Sequence, residues 1–125
     1  MFSKLSRGLK WIDAGQKDTH DFTVSDFTND SSFHDLDLSA KVPANAKWII
    51  LGVKIKGSVI SSFMEWASKS TSTGYPQYNM AMKVTAVIEA ATIILPLDGD
   101  KKVQYRLQAG VTWSSCDVDI IGYAI

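Results

Sequence analysis

Few side chains in this sequence have chemical reach. Two histidines, His20 and His34, sit in the N-terminal third among Asp18, Asp21, Asp26, Asp30, Asp35 and Asp37, and a single cysteine, Cys116, lies near the C-terminus. Carboxylates at that density offer oxygen ligands to a hard cation, and a histidine pair offers nitrogens to a transition metal. Their spacing matches no cation loop, and loop carboxylates are ordinarily solvated, so no metal ligand is assigned. Cys116 would need an electropositive setting to act as a nucleophile. It alternates instead with Val118 and Ile120, which predicts a small buried residue. Asp98-Gly99-Asp100 is explained by turn chemistry rather than cation binding. Asn29-Asp30-Ser31 matches a glycosylation acceptor, but no secretory leader gives the match meaning. The sequence has no Gly-rich phosphate loop, no Gly-x-Ser-x-Gly elbow and no His-Glu-x-x-His pair. No catalytic residue and no cofactor is expected, and the chain reads as a non-enzyme. A metal-dependent enzyme built on the His20/His34 cluster is the distant rival.

The aromatic residues say more. Trp48, Trp113 and Tyr123, with Ile121 beside them, fall on strand faces opposite the predicted core. A sandwich needs one inner face per sheet, so large apolar groups outside it must touch something. They could stack on the sugar rings of a host glycan, be buried between subunits, or be covered by loops of the same chain. Trp48, Trp113, Ile121 and Tyr123 are the candidate oligomer or partner contact. Phe2, Leu5, Leu9 and Trp11 interleave with Lys4, Arg7 and Lys10 and form a candidate docking arm over residues 1–12.

The elements that must position these groups are strands. Ile49, Leu51, Val53 and Ile55 recur every second residue within 46–56, while Lys54 and Lys56 take the other face. Residues 92–107 predict a hairpin turning at Asp98-Gly99-Asp100, with Val103, Tyr105 and Leu107 inward. Pro96 has no N–H for a ladder, which puts its strand at an edge or a bulge. Residues 112–125 predict a long last strand with Cys116, Val118 and Ile120 inward. Segments 59–69 and 78–91 fit a strand or a helical stripe and are assigned as strands from their β surroundings. Residues 13–32 are polar and turn-rich, with short β-favouring pieces around Phe22-Thr23-Val24 and Phe27. The expected fold is all-β, an antiparallel β-sandwich or jelly-roll-like module over 13–125 with the arm in front.

Composition narrows the partners. A length of 125 residues fits one domain, and a 46% hydrophobic content fills one core without disulfide or metal. Lys+Arg and Asp+Glu are equal at 13 each, unlike the basic face of a nucleic-acid module. No apolar run approaches the ~20 residues that span a bilayer. Neither a nucleic-acid nor a membrane partner is expected. One cysteine fits synthesis in a reducing cytosol.

Three blocks of sequence resemble a known group. The stretch Leu36-Asp37-Leu38-Ser39-Ala40-Lys41-Val42-Pro43-Ala44-Asn45-Ala46-Lys47-Trp48-Ile49-Ile50-Leu51-Gly52-Val53 is similar to the D-L-S-x-x-V-P-x-x-A-K-x-x-x-L opening of small β-sandwich modules in tailed-phage and prophage virion proteins. Ile94-Leu95-Pro96-Leu97-Asp98-Gly99-Asp100-Lys101-Lys102-Val103-Gln104-Tyr105 resembles that group's x-x-P-L-D-x-x-R-K-I-x-Y hairpin. Asp117-Val118-Asp119-Ile120-Ile121-Gly122-Tyr123 resembles its closing D-I-x-V-x-G-W strand, with Asp119 and Ile121 where an arginine or small residue is common. Residues 1–33 have no counterpart. The resemblance implies a virion structural protein, decorating a capsid or built like a tail-fibre domain, made in the host cytoplasm and located in the virion. It also implies a homo-oligomer, a trimer favoured, in contact with other virion proteins such as the major capsid protein. The alternative is a carbohydrate-binding module that recognises a host receptor.

Overall fold

The computed structural model describes residues 9–15, 18–69 and 77–125. Its strands are β1 (Trp11–Asp13), β2 (Phe33–Asp37), β3 (Trp48–Gly57), β4 (Phe63–Ser68), β5 (Tyr78–Ala81), β6 (Glu89–Pro96), β7 (Lys102–Leu107) and β8 (Trp113–Ala124). They form two four-stranded sheets, ordered β1-β8-β3-β6 (sheet A) and β2-β7-β4-β5 (sheet B). Every pairing is antiparallel, and β1 pairs with β8, β2 with β7, β3 with β6 and β4 with β5. Such nesting is what a single long hairpin gives when it is rolled up, and β3–β8 and β4–β7 pairings close the roll. The architecture is a jelly roll, the two-Greek-key form of the β-sandwich.

The facing sheets enclose one core. Sheet A contributes Ile49, Leu51, Val53, Ile55, Ile93, Leu95, Cys116, Val118 and Ile120, and sheet B contributes Leu36, Met64, Trp66, Met80, Val103, Tyr105 and Leu107. The ten residues expected to face inward are all buried. Cys116 Sγ lies 3.5 Å from Met64 Sδ across the sandwich, and burial pushes its thiol pKa up to about 12. It packs as a small apolar group and has no thiolate at neutral pH to attack with. Phe27 plugs one side of the core, edge-on to Trp66 and Tyr105.

Four expectations are corrected. The segment 92–107 is not a hairpin: β6 pairs only with β3, and β7 pairs with β2 and β4, so Asp98-Gly99-Asp100 crosses between sheets. Lys101 takes a left-handed φ of 60° there, and its carbonyl accepts the Leu38 N–H. The second correction concerns 59–69 and 78–91, where β4 begins only at Phe63 and residues 82–88 separate β5 from β6. Left-handed Ser61 and Ala86 break both extended runs, and the Ser61 and Met82 N–H groups bond between the two loops. Third, Phe22 makes an isolated bridge to Val118, and Val24–Asp26 turns as a 3-10 helix whose Asp26 carboxylate accepts the Thr23 N–H, in place of a strand. Fourth, Trp11 and Ile12 pair with Ala124 and Tyr123, so the expected arm of residues 1–12 gives its end to the sheet. Pro96 lies on β6, an edge strand, as its missing N–H requires.

Leu51 is fully buried on β3, one of the two central strands of sheet A. Leu51→Ala is expected to cost about 2–5 kcal/mol. Urea denaturation measures it, and an unchanged midpoint would reject this register of β3.

Candidate contact surface

The outer faces of the two sheets differ in kind. On sheet B, Arg106 bonds Glu65 through Nε (2.7 Å) and through Nη2, and Asn79 donates to the same carboxylate. The guanidinium also stacks on Phe33 and Phe63, 4.9 and 5.5 Å from the ring centres. Beside it, Lys69 pairs with Asp35 at 2.6 Å and holds that carboxyl below its usual pKa. Gln104 donates to the same Asp35 carboxylate at 3.3 Å, while its own side-chain oxygen is buried without a partner.

The outer face of sheet A is apolar at one end and charged at the other, where Lys54 pairs in register with Asp117. Register places Trp11, Ala124, Trp48 and Pro96 in one row across it, and Asp13, Gly122, Ile50 and Ile94 in the next. Ala124 is fully buried between its two tryptophan neighbours, whereas Trp11 is 52% exposed. Ile121 follows at a β-bulge, where Ile50 pairs with Gly122 but Leu51 with Ile120. Ile121 is the extra residue, and it stands 43% exposed on the outer face that alternation from buried Ile120 gives it. Its side chain crosses Gly52, where an added Cβ would stand 3.1 Å from Ile121 Cδ1. Hollows open on either side of it. One, of about 330 Å3, is walled by Asp13, Asp18, His20 and Asp119. The other, of about 430 Å3, is floored by Gly52 and bordered by Lys54, Ala90, Thr92 and Asp119.

A clasp fixes the acidic wall. His20 Nδ1 lies 2.9 Å from Asp119 Oδ2, and Nε2 lies 3.6 Å from Asp117 Oδ2. The Asp21 N–H donates to Asp119, and the Ile120 N–H donates to Asp21. The hydrogen bond to Asp119, helped by the Asp117 charge, raises the His20 pKa above 6.5. His34 takes a different partner, Asp30 Oδ1 at 2.8 Å, and lowers that carboxyl's pKa. The two histidines therefore do not share a site, and among the described residues no group of three or more His, Cys, Asp or Glu side chains is arranged to hold a metal ion.

Of the sequence-predicted contact residues, the structure leaves Ile121 and half-buried Trp48 on the outer face of sheet A. Trp113 is corrected: it is only 7% exposed. A second bulge pairs Gly57 with Trp113 but Lys56 with Ser115, so Ser114 is the extra residue and the indole turns inward. Only glycine fits beneath it, since a Cβ at Gly57 would lie 2.9 Å from the ring. The indole N–H donates to the Gln108 carbonyl at 3.0 Å. Tyr123 is likewise returned to the core side beyond the first bulge, opposite buried Ile49, and packs half-buried against the core. In the arm, Leu9 and Trp11 are exposed, while Phe2 and Leu5 lie outside the described residues. Sequence reasoning missed Ile50 and Ile94, although Ile50 shares the parity of Trp48 and could have been found from it.

The rim of this face is closed to strand addition at β6. Tyr78, from sheet B, donates its hydroxyl to the Ile94 carbonyl at 3.0 Å and accepts the Ile94 N–H at 3.4 Å. With Pro96 adding no donor, that edge has little to offer another strand. Contact at the β6 side of sheet A must use its face. No protein-family model matches the chain, and no curated protein matches it in sequence.

Two measurements check this geometry. Trp113→Ala should lower stability by about 3–5 kcal/mol, as buried tryptophan truncations do, and leave the molecular mass in solution at the wild-type value. A stable protein of lower mass would return Trp113 to a subunit contact. Protonated His20 strengthens its clasp fully below its ordinary pKa of 6.5, and the contribution fades as pH rises through the raised value. In Asp119→Asn the His20 midpoint should fall back toward 6.5 by NMR titration, and an unmoved midpoint would reject the clasp.

Proposed function

We propose that this protein is a phage virion structural module, decorating the capsid surface or acting as an accessory part, and that it works by protein–protein contact through the outer face of sheet A. The observation that carries the reading is the contrast between the two outer faces. On sheet B the Glu65, Arg106 and Asn79 side chains pair with one another, while sheet A presents exposed Trp11, Ile94 and Ile121 beside half-buried Trp48 and Ile50. An apolar surface of this sort marks an interaction site in a soluble protein. The resemblance of the three sequence blocks to virion modules supports the same reading and adds a homo-oligomer, a trimer favoured, and the major capsid protein as a partner. The jelly roll is used by viral capsid domains and by lectins alike, so the fold argues for this class by analogy only.

Trp11 and Trp48 flanking a small alanine, beside hollows bordered by carboxylates and Thr92, also suit a sugar ring, and host-glycan recognition is the second reading. Purified particles from cells that make the protein should contain it in stoichiometric amount. Trp11→Asp combined with Ile121→Asp should keep the β-rich circular dichroism and lose incorporation. Finding the protein only in the cytosol, never in particles, would overturn the virion reading, and glycan-array binding abolished by the same double variant would put the second in its place.

A further inference from the structure

The two edges of sheet A are finished differently. At β6 the Tyr78 hydroxyl occupies the backbone of Ile94, and Pro96 has no N–H to offer. At β1 no comparable seal is present among the described residues. Lys10 and Ile125 exchange both backbone hydrogen bonds at 2.9 Å, and the Ala14 N–H donates to the Ile121 carbonyl at 2.9 Å, so Lys10, Ile12 and Ala14 turn their backbone groups toward β8. An antiparallel ladder alternates, and Trp11 and Asp13 therefore point their N–H and C=O groups away from β8, along the open rim of the sheet. Neither backbone finds another partner among the described residues. The Asp13 carboxylate does not cover the rim either, because it accepts the Gly15 N–H at 2.7 Å. Trp11, 52% exposed, stands beside it. A row of unpaired backbone groups at a sheet edge is a template for another strand.

We infer that the open edge of β1 pairs with β1 of a second copy of the chain, antiparallel about a two-fold axis at Ile12, so that sheet A runs on from one molecule into the other. The inference concerns the edge and does not rest on the virion reading. What points to a copy of the same strand is self-complementarity in that register. Centred on Ile12, the pairing sets Trp11 against Asp13 of the second copy, and each outward N–H meets an outward C=O with none left over. The charges agree. Asp13 faces a tryptophan and Lys10 faces Ala14, so no like charges lie opposite, an arrangement that would oppose pairing. The apolar side chains agree as well. The two Trp11 side chains become diagonal neighbours on the outer face, about 7–8 Å apart and within reach of each other as aromatic rings. On the other face the two half-buried Ile12 side chains meet at the axis. The row of Trp11, Ala124, Trp48 and Pro96 in one copy continues into the row of Asp13, Gly122, Ile50 and Ile94 in the other, which joins the two outer faces. A contact between identical patches is isologous and closes at two copies. So short a ladder covers little area, and contacts of limited area associate weakly, so the dimer is to be sought at high concentration.

Mass and hydrogen exchange test the pairing together. Sedimentation of the full chain from micromolar to sub-millimolar concentration should show the mass rise from 13.8 kDa toward twice that value. Over the same range the Trp11 and Asp13 amides should gain about tenfold or more in protection from exchange, because strand pairing covers them and a contact through the face does not. Trp11→Asp sets a carboxylate against Asp13 of the second copy and should leave a monomer. Adding Asp13→Lys to it sets opposite charges against each other in the same register and should restore the dimer. Both positions are exposed, and circular dichroism checks that each variant is folded. A wild type that stays monomeric at sub-millimolar concentration would overturn the proposal. An oligomer whose Trp11 and Asp13 amides exchange as in the monomer would place the contact on the face and overturn it too, as would a trimer or a folded double variant that stays monomeric.

Discussion

Side chains of a β-strand alternate between its two faces, so one extra residue in a strand transfers everything beyond it to the opposite face. The long β3–β8 ladder at the centre of sheet A contains two such residues, Ser114 and Ile121. Between them the alternation of Cys116, Val118 and Ile120 fills the core. Outside them it is inverted, and that inversion decides the character of the molecule. At one end it buries Trp113 against Gly57, and at the other it returns Tyr123 to the core side and leaves Ile121 standing on the outer face. The bulge at Ile121 shapes the candidate contact surface, because the extra residue stands on it between the two hollows.

The rolled topology places that surface and frames it. Because strands distant in sequence become neighbours, the outer face of sheet A combines β1, β3, β6 and β8, whose residues run from 11 to 124. The 18–22 segment is tied to β8 by the His20 clasp and by the Phe22–Val118 bridge, and it supplies the acidic wall. The same roll brings Tyr78 of sheet B to the free edge of β6, where one hydroxyl meets both backbone groups of Ile94. Edge protection and face exposure thus come from one arrangement: the molecule discourages strand addition there and presents a surface.

The polar face of sheet B makes the contrast meaningful. Glu65 is a buried carboxylate, which would be costly alone, and Arg106 meets it with two nitrogens while lying between two phenylalanine rings. Such a network is complete without a partner molecule. On sheet A the His20 clasp ties up one end of the face, and Trp11, Ile94 and Ile121 stand exposed beyond it. Exposed apolar side chains gathered on one face of a small domain are a liability to a free monomer and an asset to an assembling one.

By itself the sequence determined the all-β class, the inward residues of β3, β7 and β8, the restriction of Pro96 to an edge or a bulge, and the inert burial of Cys116. Each follows from something local: period-two alternation, a missing N–H, or a small thiol amid aliphatic neighbours. Tertiary structure alone decided that Asp98-Gly99-Asp100 is a corner between sheets, since the same turn residues serve a hairpin or a crossover and only the pairing of distant strands distinguishes them. It also decided the fate of the aromatics. Trp48 and Trp113 have the same sequence signature, a tryptophan out of phase with a core stripe, yet one faces outward and the other lies in the core. A bulge has no composition of its own: it arises where two strands of unequal length must stay in register, and that is a property of the pair.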